Sequence, residues 1–134
     1  MAAADTDLLH VEVVAPDRPV WSGQAEMVIA RTVEGDLGIL RGHAPLLSLL
    51  TDAVVEISVA DGGVLVAVVD GGFISVANDR VSILSDNAQL PEEIDVDEAR
   101  TELEEARNLI GAQDDAERRL RRAEARIRAV EKSS

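Results

Sequence analysis

The chain lacks cysteine altogether, which excludes disulfides and thiolate-bound metal. Trp21 and Phe73 are its only aromatic residues, so any core must be aliphatic. No apolar run approaches the length of a membrane span, and the first residues lack the basic-then-apolar order of a signal peptide. A soluble protein that stays where it is made is expected. Histidine is scarce: His10 and His43 lie in separate segments, and no His-x-x-x-His spacing occurs. A glycine-elbow serine is also missing, as is any visible nucleophile–base–orienter set. Neither a metal site nor an enzyme is expected. Cations are in deficit, 13 against 26 acidic side chains, and so acidic a chain is poorly suited to neutralising nucleic-acid phosphates.

What is present is valine and a good deal of charge. At 134 residues and 46% hydrophobic content, the chain can form one ordinary domain, or a small domain with an appendage. Valine suits a pleated sheet. The net charge of −13 is unevenly spread, because residues 116–134 carry 7 basic and only 3 acidic side chains. A basic end on an acidic protein points to an interaction surface.

Alternation predicts a strand over residues 8–14, with Leu9, Val11 and Val13 on one face. Pro16-Asp17-Arg18-Pro19 reads as a turn. Val20–Gly23 and Met27–Thr32 read as two short strands, and Leu46–Leu50 as an apolar return. Val54–Val59, Val64–Val69, Phe73–Ala77 and Val81–Leu84 follow. They are separated by Asp61-Gly62-Gly63, Asp70-Gly71-Gly72 and Asn78-Asp79-Arg80, which carry hairpin chemistry. Val64–Val69 is apolar on both faces, as a strand buried on both sides would be. Short strands at this spacing predict a sandwich or barrel.

Beyond Pro91 the pattern becomes helical. Asp95 with Glu98 fits a capping box, and Val96, Ala99, Leu103, Ala106 and Ile110 recur at helical spacing until Gly111 stops the helix. Asp114 or Asp115 starts a second helix, in which Ala116, Leu120, Ala123, Ile127 and Val130 form a narrow seam. A tight connection through Ala112-Gln113-Asp114 makes the pair an antiparallel hairpin. Helices of about fifteen residues are marginal alone, so the hairpin must rest on the sandwich or on a partner. The pattern leaves open whether it stays in one place or exchanges between two.

Two regions carry functional potential. Residues 35–46 contain Gly35, Gly38, Gly42 and Pro45, and so predict a tightly bent loop. The absence of both phosphate-loop patterns disfavours a phosphate cradle. A shaped contact that presents Asp36 and Leu37 fits better than a metal or catalytic loop around His43. Arg100 and Arg107 lie two turns apart on the first helix. Arg118, Arg119, Arg121, Arg122, Arg126 and Arg128 give the second a broad guanidinium surface. It reads as a polyanion site or a docking face for an acidic partner, or, residue by residue, as i,i+4 support such as Glu117–Arg121 and Glu124–Arg128. The carboxylate pairs Glu92-Glu93 and Glu104-Glu105 read as solvated helix faces.

Gly35-Asp36-Leu37-Gly38-Ile39 with Gly42-His43-Ala44-Pro45-Leu46 resembles the signature loop of the epsilon subunit of rotary F-type ATP synthases. Gly71-Gly72-Phe73, Asn78 and Val81 to Asp86 resemble its second signature, and Asp97-Glu98-Ala99-Arg100 the start of its first C-terminal helix. The resemblance runs along essentially the whole chain. It implies an all-β N-terminal sandwich or flattened barrel of about ten strands over residues 1–90, then an α-helical hairpin over residues 91–134.

The implied function is that of a non-catalytic central-stalk subunit of a proton-translocating complex. It is peripheral to the cytoplasmic face of the cell membrane, with the gamma subunit, the rotor c-ring and the alpha/beta catalytic head as partners. Glu34, Gly35, Asp36 and Leu37 would face the ring, with Gly38, Gly42, His43 and Pro45 completing the signature loop. The hairpin would inhibit ATP hydrolysis when extended, its arginines 118, 119, 121, 122, 126 and 128 docking on the beta subunit. Some members hold ATP between the folded helices. Here that motif reads Val96-Asp97-Glu98-Ala99-Arg100-Thr101 and departs at its first and last positions. Asp97, Arg100, Arg107, Arg122 and Arg126 are the candidate ligands of a regulatory ATP, the alternative role being an ATP sensor.

Overall fold

A computed structural model describes residues 8–112 and 115–133. Within them nine strands precede two helices. The strands are β1 (Leu9–Ala15), β2 (Arg18–Thr32), β3 (Gly35–Leu40), β4 (Leu46–Leu49), β5 (Ala53–Val59), β6 (Val64–Val69), β7 (Phe73–Ala77), β8 (Arg80–Leu84) and β9 (Ala88–Gln89). After a 3-10 turn at Pro91–Glu93 come α1 (Val96–Leu109) and α2 (Ala116–Ser133). The strands run in the order β4-β7-β8-β1-β2-β5-β6-β9, with β3 also paired to β2. The pairing of β1 with β8 is parallel, and the other pairings are antiparallel.

The segments expected as two strands, Val20–Gly23 and Met27–Thr32, are one fifteen-residue strand. Gly23 does not break it. A Cβ there would lie 2.7 Å from the Trp21 ring, so the missing side chain seats the indole two residues upstream. The strand's N-terminal half pairs with β1 and its C-terminal half with β3 and β5. Between Ala25 and Met27 the register against β5 shifts by one residue. A bulge reverses which parity faces inward: Ala25 is buried before it, and Val28, Ala30 and Thr32 after it. One strand thereby serves both layers of the fold.

Leu9, Val11, Val13, Val28, Ile39, Ile57, Ile74, Val76, Val81 and Ile83 fill the space between the layers. On β6, Ala67 and Val69 are buried inward, while Val66 and Val68 form a separate cluster with Ala125 and Ala129 of α2. The strand read as buried on both faces is so from Val66 to Val69, where the second cover is α2, whereas Val64 at its start is exposed. Of the predicted α2 seam, Ala116 and Ala123 are buried, and Leu120, Ile127 and Val130 are half-buried. Ala125 and Ala129 form a second row that the predicted seam omits.

Two turns differ from expectation. Asn78 and Asp79 take φ of 52° and 62° and close the β7–β8 hairpin, and Gly62 and Gly63 close β5–β6. Asp70-Gly71-Gly72 closes no hairpin, because β6 pairs with β5 and β9 while β7 pairs with β4 and β8. It carries the chain from one layer to the other. The loop predicted over residues 35–46 is also largely strand: Gly35–Leu40 pairs with Met27–Thr32, and the bend is confined to residues 41–45.

At α1 the Asp95 carboxylate accepts from the Glu98 amide at 3.0 Å, which is one half of the expected capping box; the reciprocal bond to the Glu98 side chain does not occur among the described residues. Gly111, with φ of 85°, follows the last turn. Asp114 and most of the connection assigned to Ala112-Gln113-Asp114 lie outside the described residues.

Candidate functional site

Three surfaces combine unusual chemistry with position. The first joins α2 to the sandwich. Asp52 precedes β5 and Asp70 follows β6, which brings two carboxylates to the edge of the surface on which α2 lies. Their side chains are only 8% and 7% exposed. Arg122 and Arg126, one turn apart, project from one side of the helix. Arg126 Nη2 donates to Asp70 Oδ2 at 2.7 Å, and its Nε donates to Gln89 Oε1 at 2.9 Å. Asn87 Nδ2 donates to the same carboxylate oxygen at 3.0 Å. Arg122 Nε lies 3.3 Å from Asp52 Oδ1 and 3.8 Å from Asp70 Oδ1, and Arg121 Nη2 lies 3.8 Å from Asp52 Oδ2. Asp70 Oδ1 and Arg122 Nε are buried without a hydrogen bond. The clamp is therefore electrostatic at its centre and hydrogen-bonded at its Arg126 end. Lys132 extends the attachment to Glu56, 3.2 Å away on β5.

Between α1, α2 and the sandwich lies a cleft of about 430 Å³ lined by Arg119, Arg122, Arg126, Glu98, Glu102 and Asp70, among others. Arg119 donates to Glu102 and holds that carboxyl below its ordinary range, while its own guanidinium is raised. The five residues expected to hold ATP are not brought together. Arg122 and Arg126 line this cleft but face Asp52 and Asp70, whereas Asp97, Arg100 and Arg107 are exposed and outside its lining. The cause is the roll of α1, which buries Ala99 and Ala106 and turns these three side chains outward.

The arginines expected to form one docking face likewise divide. Arg122 and Arg126 turn to the clamp and Arg119 to α1. Arg118, Arg121 and Arg128 are exposed.

The second surface is the β2–β3 hairpin with the corner after it. Thr32 Oγ1 donates to the Gly35 carbonyl at 2.9 Å and accepts from the Glu34 amide at 3.1 Å, fixing the tip. Gly35, at φ 124°, needs glycine's freedom, whereas Gly38 sits in regular strand. Asp36 points outward and pairs with Arg31 at 3.0 Å. Leu37, expected to be presented, instead packs partly against the core, because it alternates with Asp36 along the strand. The exposed apolar side chains here are Ile29, Val33 and Leu40. The corner is fixed by the Gly42 amide, which donates to Asp79 Oδ1 at 2.7 Å. His43 Nδ1 donates to the Ala44 carbonyl at 2.7 Å. No cluster able to hold a metal ion occurs among the described residues.

The third surface escaped the sequence reading. Leu49, Phe73 and Leu84 are direct cross-strand neighbours on β4, β7 and β8. They are 52%, 49% and 44% exposed, and Leu47 is 72% exposed on the same face of β4. With Val14, Ala15 and Pro16 the three edge a recess of about 510 Å³. Contiguous exposed apolar side chains of this kind are what protein contact surfaces present. The available signal was leucine at both parities of Leu46–Leu50, more than a strand with one buried face needs. These strands lie in the layer opposite to β5 and β6, on which α2 rests. No helix among the described residues is long and apolar enough to cross a membrane.

The chain has relatives that share this plan. Residues 8–91 match the family model described as ATP synthase, Delta/Epsilon chain, beta-sandwich domain. A protein of Streptomyces griseus subsp. griseus named ATP synthase epsilon chain is 48% identical over 122 residues, covering 91% of this chain and 94% of its own. The protein of that name from Nocardia farcinica is 46% identical over 132 residues, covering 98% and 96%. Among solved structures, a chain of the Euglena gracilis mitochondrial ATP synthase, in an assembly that includes the c-ring, superposes with a TM-score of 0.73 at 26% identity. It covers 95% of this chain and 79% of that one. A chain from the central stalk and c-ring of the Tetrahymena thermophila enzyme shares the fold, with a TM-score of 0.62 at 18% identity over 91% of this chain and 96% of that one. Matched through both its sandwich and its helices, the chain belongs to the epsilon family of ATP synthase subunits.

Proposed function

We propose that this chain is a non-catalytic subunit of the central stalk of a proton-translocating F-type ATP synthase. It sits at the cytoplasmic face of the membrane and joins the gamma subunit to the c-ring. The stalk and c-ring setting of its structural relatives supports this reading. So do two surfaces of the sandwich. The apolar row Leu47, Leu49, Phe73 and Leu84 suits a permanent protein contact and is the seat for gamma. The hairpin tip, with Glu34, Gly35 and Asp36 outward and Val33 beside them, suits the polar loops of the ring.

The hairpin acts as a brake on ATP hydrolysis. One observation carries this part: in the folded state Arg122 and Arg126 are engaged by Asp52 and Asp70. The same cations would meet an acidic segment of the catalytic head only after leaving those carboxylates. Docking on the sandwich and docking on the head are then mutually exclusive, which is what a two-position brake requires. In the assembled soluble complex, deleting residues 91–134 is expected to leave assembly intact and raise ATP hydrolysis. Asp52→Asn with Asp70→Asn, which releases the hairpin, is expected to lower it. Unchanged hydrolysis in both would remove the brake and leave the coupling role standing.

The ATP-sensor alternative rests on the cleft between the helices, where two of its five candidate ligands lie and are already engaged by carboxylates. Backbone amide shifts of the full chain titrated with ATP test it: none is expected at Asp97, Arg100 and Arg107 at millimolar ATP, and saturable shifts at these three would reinstate the sensor.

A further inference from the structure

We infer that the folded chain binds a phosphate-type dianion in a second cleft, between α2 and the β2–β3 hairpin. This cleft of about 600 Å³ is lined by Arg31 from β2, by Arg118, Arg121 and Arg128 from α2, and by Asp52 and Glu124. Positions 118, 121 and 128 are separated by three and seven residues and so follow one side of the helix. Arg31 faces them across the gap. Four guanidinium groups against two carboxylates invert the sign of a protein whose net charge is −13.

These cations are available. Among the described residues neither Arg118 nor Arg128 makes an ion pair or side-chain hydrogen bond. Arg121 has only a 3.8 Å approach to Asp52. Arg31 pairs with Asp36 with both side chains more than half exposed, an arrangement that contributes little. Of the two carboxylates, the Asp52 side chain is 8% exposed and lies closer to Arg122, at 3.3 Å, than to Arg121. The lining is arginine without lysine, and the planar fork donates two parallel bonds to tetrahedral oxyanions. The cleft volume falls within the range of about 300–1,000 Å³ typical of small-molecule sites.

The occupant would tie α2 to the sandwich, since three ligands come from the helix and one from the sheet. It binds only while the helix lies on the sandwich, so binding and folding of the hairpin reinforce each other. At an anion concentration ten times its dissociation constant, the folded-to-released ratio rises about elevenfold. The site is separate from the cleft that Arg122 and Arg126 line, and the inference holds whether or not the hairpin brakes hydrolysis.

The test uses the full chain, titrated with inorganic phosphate and pyrophosphate at constant ionic strength, with chloride as the control. Side-chain Nε–H resonances of the arginines report occupancy, and amide exchange at residues 123–129 reports hairpin release. Saturable shifts at Arg31, Arg118, Arg121 and Arg128, with slower exchange, are expected. The Arg118→Gln/Arg128→Gln variant, altered only at exposed positions, should bind at least tenfold more weakly. Vesicles of phosphatidylcholine with and without phosphatidic acid separate the sources. A response to soluble phosphate assigns a free anion, and a response to phosphatidic acid alone assigns a lipid headgroup. A response no larger than that to chloride, shifts confined to Arg122 and Arg126, or unchanged affinity in the double variant would overturn the inference.

Discussion

The Gly42 amide donates to Asp79 Oδ1 at 2.7 Å, so the corner after β3 is held by the turn between β7 and β8, 37 residues further along the chain. Asp79 also occupies a left-handed conformation, φ 62°. Asp79→Gly keeps that conformation available and removes the acceptor. It should cost about 1 kcal/mol and speed exchange of the Gly42 amide. Asp79→Asn, which tolerates the conformation and retains an acceptor oxygen, should stay close to the parent.

Gly72 and Gly38 should respond oppositely to alanine. A Cβ on Gly72 would fall 1.9 Å from the Leu84 carbonyl oxygen, at φ 107°, whereas nothing lies within 4 Å of one on Gly38. Gly72→Ala needs backbone movement where the chain crosses between layers. Destabilisation of more than about 3 kcal/mol is expected in denaturant melts. Gly38→Ala should change stability by less than about 0.5 kcal/mol. Equal effects would contradict the crossover geometry.

Asp70→Asn leaves Arg126 and Arg122 facing an uncharged side chain in a buried setting. Removing one partner of a buried pair costs about 3 kcal/mol. Here the cost is expected to appear as release of α2, with faster amide exchange along the helix and an unchanged melt of the sandwich. Because the loss comes from stranded charge, adding Arg126→Met should recover part of it, and a double-mutant cycle measures how much.

Acid should loosen the hairpin before the sandwich. Hydrogen bonds from Arg18 and Arg119 hold Glu93 and Glu102 below the ordinary glutamate range. A carboxylate depressed in the folded state contributes stability that is complete above its unfolded value, about pH 4.3. That contribution disappears as pH falls through the folded value. Hairpin exchange should therefore be flat from neutral pH to about pH 5 and rise below about pH 4.3. Both side chains are partly exposed, so the effect is modest. Glu93→Gln with Glu102→Gln should flatten the acid limb; an unaltered limb would assign it to other groups.

How much of this was legible in the sequence depended on how local each cause is. Helix limits came from Asp95 and Gly111, whose effects act within one turn, and the double burial of Val66–Val69 followed from composition, which could not show that Val64 at the strand's start is exposed. The single strand of residues 18–32 was hidden because Gly23 reads as a breaker until the Trp21 ring is seen over it. The parity reversal near Glu26 is a register event against β5, and no local pattern records it. Asp70-Gly71-Gly72 carries hairpin chemistry, yet its flanking strands pair elsewhere. The clamp was invisible for the same reason: Asp52 and Asp70 are 18 residues apart in sequence and acquire a role only when β5 and β6 place them beneath α2. The arginine face was legible, but the way its members divide was not.

The two apolar clusters have no buried residue in common, although β6 contributes to both. Should α2 depart, the interior between the layers stays sealed, and what becomes wet is a shallow strip of methyl groups around Val66 and Val68. Loss of the α2 contact alone would thus leave the slab intact, since the two interiors are sealed independently.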